Sequence, residues 1–167
     1  MRIYLVGYMG SGKTTLGRKL AKLAHLNFID LDKYIEERHC RSVPQLFAEE
    51  GEACFREFEH KALAEVSEFD NVVVATGGGA PCFFDNMELM NRTGITLFLD
   101  FSPAILTGRL LRSKNERPLI KGKSPEELRR FISETLEKRR PFYAKACHTI
   151  ASPEIPAEEI VKLLGLS

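Results

Sequence analysis

The chain has 167 residues, 44% hydrophobic and 28% charged, which is enough for one domain with a substantial core. Its net charge of +1 argues against bulk electrostatic binding to nucleic acid or a membrane surface, and no apolar run approaches spanning length. Cys40, Cys54, Cys82 and Cys147 stand far apart without C-x-x-C spacing, so a reduced, cytoplasmic protein with packing cysteines and no zinc site is expected. The N-terminus runs at once into the strand Ile3–Val6, leaving no room for a signal peptide.

That strand leads into Gly7-Tyr8-Met9-Gly10-Ser11-Gly12-Lys13-Thr14, which reads G-x-x-x-x-G-K-[ST] in the strand–turn–helix setting a phosphate-binding loop requires. Its glycines let successive N–H groups face one anion-sized cavity, and the helix behind them adds its positive dipole end. Lys13 is placed to reach the β- and γ-phosphates, and the Thr14 hydroxyl to ligate Mg²⁺. The helix is expected to turn Leu16, Leu20 and Leu23 inward.

A second strand, Phe28–Leu31, ends in Asp30-Leu31-Asp32, with alternation putting both carboxylates on one face. Such residues either cap the following helix or supply acidic oxygens to Mg²⁺. Ser42-Val43-Pro44-Gln45 reads as a capping box opening a short helix that stops near Gly51, and Ala53–Val66 as another helix with Phe55, Phe58, Ala62, Leu63 and Val66 on one face. Within it Arg56 lies one turn from Glu52, and a surface ion pair is the simplest reading of that spacing.

The strand Val72–Ala75 runs into Thr76-Gly77-Gly78-Gly79, where backbone can approach a ligand closely and offer unobstructed N–H donors. Phosphate-loop proteins commonly carry a metal-binding Asp at this strand end. Thr76 stands there instead, so Asp30 is the natural second acid for magnesium. Thr96–Leu99 is a fourth strand, Ser102-Pro103 caps a helix through Arg112, and Ser124-Pro125 opens a long one to about Lys145. Between them Ser113–Lys123 holds Lys114, Arg117, Lys121 and Lys123 against Glu116 alone: a basic surface loop, or a lid over ATP. His148–Ala151 is a fifth strand and Ala157–Leu164 a final helix. The alternation, with no repeat or linker, predicts one α/β domain over 1–167, a three-layer αβα arrangement around a five-stranded parallel sheet.

Together these pieces resemble shikimate kinase. The motifs that carry the likeness are the phosphate loop, Asp30-Leu31-Asp32, Gly51-Glu52-Ala53-Cys54-Phe55-Arg56-Glu57-Phe58-Glu59, Thr76-Gly77-Gly78-Gly79, Arg117-Pro118-Leu119 and Arg139-Arg140-Pro141-Phe142-Tyr143. They occur in the family's order and cover the chain to about residue 150. The resemblance implies a nucleoside monophosphate kinase-like fold, with a substrate-binding segment at about 32–60 and a lid at about 113–124. It implies transfer of the ATP γ-phosphoryl group to the 3-hydroxyl of shikimate. From the charge balance and cysteine pattern a cytoplasmic protein with no nucleic-acid or membrane partner is expected, taken as a monomer.

By the same resemblance, Gly10, Ser11, Gly12, Lys13, Thr14 and Thr15 cradle the phosphates, while Thr14 ligates Mg²⁺ and Asp30 reaches it through water. Asp32 holds the shikimate hydroxyls, Arg56 and Arg139 grip its carboxylate, and Gly77, Gly78 and Gly79 line the acceptor, Gly78 adding an N–H. Lys13 and Arg117 stabilise the transferring group. The adenine contact falls to Arg109 or Arg112, of which Arg109 is taken, and Arg140 competes with Arg139 for its position. A gluconate-type kinase would keep the phosphate loop but leave the Arg56/Gly78/Arg139 set without purpose. A guanine-nucleotide switch lacks its N-K-x-D motif.

Overall fold

The computed structural model describes residues 1–113 and 122–166. Five parallel strands form one sheet in the order β2-β3-β1-β4-β5, where β1 is Arg2–Val6, β2 Asn27–Asp30, β3 Val72–Ala75, β4 Ile95–Leu99 and β5 His148–Ile150. The three inner strands are the apolar ones. Val72–Ala75 is buried along its whole length and Ile3–Val6 is sealed from solvent, as strands covered on both faces must be. Strands β2 and β5 lie at the edges and are correspondingly less apolar.

From β1 the chain runs to β2 and β3 on one side and returns for β4 and β5 on the other. The C-terminal strand ends therefore open a crevice beside β1, the usual ligand position in such sheets. Helix α1, Lys13–Ala24, packs on β1–β3 and on the last helix, α7, Ala157–Leu163. Helix α4, Asn86–Thr93, lies on β4 and touches α3, Val43–Val66, while α5, Pro103–Arg112, pairs with α6, Pro125–Tyr143. Ser42, Ser102 and Ser124 each accept a backbone N–H at the start of α3, α5 and α6, and Ser42 with Gln45 completes the expected capping box.

Two local expectations change. Leu20 is buried and Leu16 packs half-buried against the core as expected, but Leu23 is 39% exposed, and Gly17 and Ala21 complete the inward face of α1. The aromatic edge of Phe28 occupies the space a side chain at Gly17 would need, drawing the helix close and rotating Leu23 outward. The second strand also ends earlier than its apolar run suggests. Asp30 caps α2, Leu31–His39, through the Lys33 N–H, so Asp32 belongs to the first turn of a helix and not to a strand face.

Helical geometry runs from Val43 to Val66, but Gly51 at φ 84° and ψ 166° breaks it where the sequence places a stop. Nothing lies within 4 Å of a Cβ added there, so Gly51→Ala tests backbone strain without a clash. It is expected to lose about 1–3 kcal/mol, read as a lowered urea midpoint at unchanged slope.

Candidate active site

A cleft of about 750 Å³ opens beyond the strand ends, and the phosphate loop forms one end of it. Gly10 and Gly12 hold φ of 82° and 91°, conformations open to glycine, and Gly12 stands at the start of α1. The Lys13 ammonium donates to the carbonyls of Gly7 (2.6 Å) and Tyr8 (3.0 Å), buried within the loop itself. Ser11 is also buried, and its Oγ has no partner among the described residues. Thr15 lines the cleft beside Thr14.

The Thr14 hydroxyl donates to Asp30 Oδ2 at 3.2 Å, so a hydroxyl and a carboxylate stand together beside the loop. That donor set suits Mg²⁺, which takes few protein oxygens and fills its octahedron with water and phosphate. Thr76 is turned elsewhere: its hydroxyl donates to the Leu5 carbonyl at 2.8 Å and ties the ends of β3 and β1 together.

The other end of the cleft collects Asp32, Arg56, Arg139 and Gly77–Gly79. The glycines provide space more than unusual backbone angles. A Cβ on Gly77 would meet Asp32 Oδ1 and Glu59 Oε2 at 3.0 Å each, one on Gly78 would meet Arg139 Nη1 and the Met9 N–H at 3.2 Å, and one on Gly79 would sit 2.5 Å from Arg56 Nη2. Both arginines and both carboxyls thus converge on one bare backbone segment that also touches the phosphate loop. Arg139 Nη1 is buried without a partner among the described residues.

Arg56 is not the surface residue that its sequence neighbours suggest. Its pair with Glu52 forms at 3.3 Å, yet the guanidinium is buried against the Phe83 ring, 4.4 Å from the centroid, and donates to Glu59 at 3.0 Å. Arg139, and not Arg140, lines the cleft, because Arg140 points out to Asp100 at 2.8 Å. Of Arg109 and Arg112, Arg109 reaches the cleft, donating to the Ser11 carbonyl at 2.9 Å, and Arg112 is exposed. Arg117, and with it most of the segment 113–124, lies outside the described residues.

Glu59 is a site residue that sequence reasoning gave no role. Its i,i+3 spacing from Arg56 was visible, but an exposed helical pair has the same spacing. Burial lifts its carboxyl to about 7, opposed by the Arg56 guanidinium and aided by the Asp32 charge. A carboxyl whose folded pKa lies above its unfolded one contributes stability in full below the unfolded value, and that contribution is lost as pH rises through about 7. Glu59→Gln, which cannot ionise, is expected to remove this component. The stability difference between parent and variant should then shrink by on the order of 2–3 kcal/mol between about pH 5 and 8. Parallel melting-temperature profiles over that range would refute the buried acid.

The family model for shikimate kinase matches residues 9–164. The shikimate kinase of Parabacteroides distasonis is 57% identical over 160 residues, covering 96% of this chain and 92% of that protein. That of Bacteroides fragilis is 52% identical over 174 residues, covering 99% and 97%. Among solved structures, shikimate kinase from Bacteroides thetaiotaomicron superposes with a TM-score of 0.95 at 50% identity, over 99% of this chain and 98% of that one. Shikimate kinase from Acinetobacter baumannii, solved in complex with shikimate, gives 0.86 at 37% identity, over 98% and 89%.

Proposed function

The chain belongs to the shikimate kinase family, and on that premise we propose how its residues divide the work of phosphorylating the 3-hydroxyl of shikimate with ATP, a step toward chorismate and the aromatic amino acids. One observation supports the division above the others: Asp32, Arg56, Arg139 and the Gly77–Gly79 backbone share one end of a cleft whose other end is the phosphate loop. The acceptor carries a carboxylate and three hydroxyls, which calls for guanidinium groups at one side and a carboxylate acceptor at the other.

Arg56 and Arg139 take the carboxylate, the unpaired Arg139 Nη1 supplying one donor. Asp32 orients the reacting hydroxyl and accepts its proton late, because the loose transition state of phosphoryl transfer places little demand on a base. The Gly77–Gly79 amides complete the acceptor end. Gly10 through Thr15 hold the phosphates, and Lys13 moves from the loop carbonyls to the transferring group. Arg109 borders the adenine end and Arg117 serves the phosphoryl group from the lid segment 113–124. Thr14 and, through water, Asp30 are the protein oxygens that would hold Mg²⁺, which when bound neutralises charge on the β- and γ-phosphates.

Residues 32–60 act as the substrate-binding segment within one kinase domain spanning 1–167. The enzyme works as a monomer in the cytoplasm, a setting that suits four unpaired cysteines. A coupled assay of ADP release with shikimate, shikimate carboxamide, gluconate or no acceptor tests the scheme. Release with shikimate, a KM raised at least ~100-fold by the carboxamide and none above background with gluconate are expected. Equal use of acid and carboxamide would overturn the roles given to Arg56 and Arg139.

A further inference from the structure

Tyr143 ends α6 fully buried, its ring against Phe98 of β4 with centroids 5.0 Å apart, and its hydroxyl donates to the carbonyl of Gly78. Burial pushes the phenol far above its ordinary pKa, so Tyr143 is a fixed neutral donor and no proton-transfer group. Arg139 lies one helical turn earlier on the same face, with Nη1 3.2 Å from where a Gly78 Cβ would stand. One turn of α6 therefore borders Gly78 with both side chains, and Tyr143 alone bonds it.

The consequence lies in the next peptide group. Among the described residues no peptide bond is cis, so the Gly78 carbonyl and the Gly79 N–H point in opposite directions across one plane. Anchoring the carbonyl on Tyr143 turns the Gly79 N–H away from α6. Among the described residues, the amides of Gly77, Gly78 and Gly79 donate to no backbone acceptor, and all three residues border the cleft. Consecutive glycines rotate more freely than any other dipeptide, so the peptide would not keep this orientation unaided.

We propose that Tyr143 is a positioning residue for the acceptor: its hydroxyl locks the Gly78–Gly79 peptide so that the Gly79 N–H faces the cleft as a donor to the bound acid. This rests on the acceptor end assigned above. Tyr143 itself touches neither substrate nor reacting atoms.

Tyr143→Phe keeps the ring and removes the anchor. The KM and Kd for shikimate are expected to rise about tenfold, with kcat and the ATP KM changed less than about twofold. Phe98→Leu loosens the same ring contact without touching the hydroxyl, and should lower Tm while leaving the shikimate KM in place. A Tyr143→Phe enzyme that loses Tm at unchanged shikimate KM, or that weakens ATP and shikimate alike, overturns the proposal. Should Tyr143→Phe fail to fold, amide NMR of the parent protein decides. Shikimate, and not ATP, must shift the Gly79 N–H downfield, and its indifference to shikimate refutes the lock. Parent enzyme that handles acid and carboxamide equally brings down the acceptor end itself, whereas normal discrimination with an unaffected Tyr143→Phe variant brings down only the role of Tyr143.

Discussion

Lys13→Ala is expected to lower kcat by about 10²–10³, the loss found when one preorganised group facing developing charge is removed. The ammonium lies over the Gly7 and Tyr8 carbonyls at 2.6 and 3.0 Å, within the phosphate loop itself. Truncation also leaves those two carbonyls without their cation, so a modest stability loss of about 1–3 kcal/mol should accompany the kinetic one. The two effects separate in the assay: turnover at saturating ATP reports the transferring group, and a urea midpoint reports the loop. Retention of full turnover would remove Lys13 from the chemistry.

Arg56→Ala carries the second large effect, in two parts with different causes. Losing one side of the carboxylate grip should weaken shikimate by about 10²-fold, near the lower end of the 2–5 kcal/mol typical of a truncated buried charge pair, with ATP affinity kept. Stability should fall by about 3–5 kcal/mol at alkaline pH, where Glu59, 1% exposed, must ionise without its cation. The double variant Arg56→Ala/Glu59→Gln separates the parts: much of the stability returns and the shikimate affinity does not. An ATP affinity that falls with the single substitution would reverse the division between acceptor and nucleotide ends. A double variant as unstable as the single one would show that Glu59 is not the source of the loss.

Much of this architecture is legible in the sequence. All five strands lie where the apolar runs place them, within one or two residues at their ends, because an inner parallel strand is apolar on both faces and declares itself without reference to its neighbours. The helix starts at Ser42, Ser102 and Ser124 were readable because a cap bonds to an N–H three residues on. The site was readable in pieces. The two aspartates were named on a strand-alternation argument that the α2 start at Leu31 replaces. Arg56 was assigned by resemblance against the evidence of its own neighbours, which favoured a surface pair.

What the sequence determined alone is the phosphate loop and the parallel α/β frame around it, since both arise from residues adjacent in the chain, whose glycine angles, caps and strand runs are local properties. Tertiary structure alone decided that Arg56 and Glu59 form a buried pair, that Arg139 faces inward while Arg140 meets Asp100, that Leu23 turns out, and that Tyr143 holds Gly78. Burial of Arg56 and Tyr143 is conferred by segments remote in the chain, Gly79 and Phe83 for the one and Phe98 for the other, and the desolvation that gives such groups their strength exists once those segments meet.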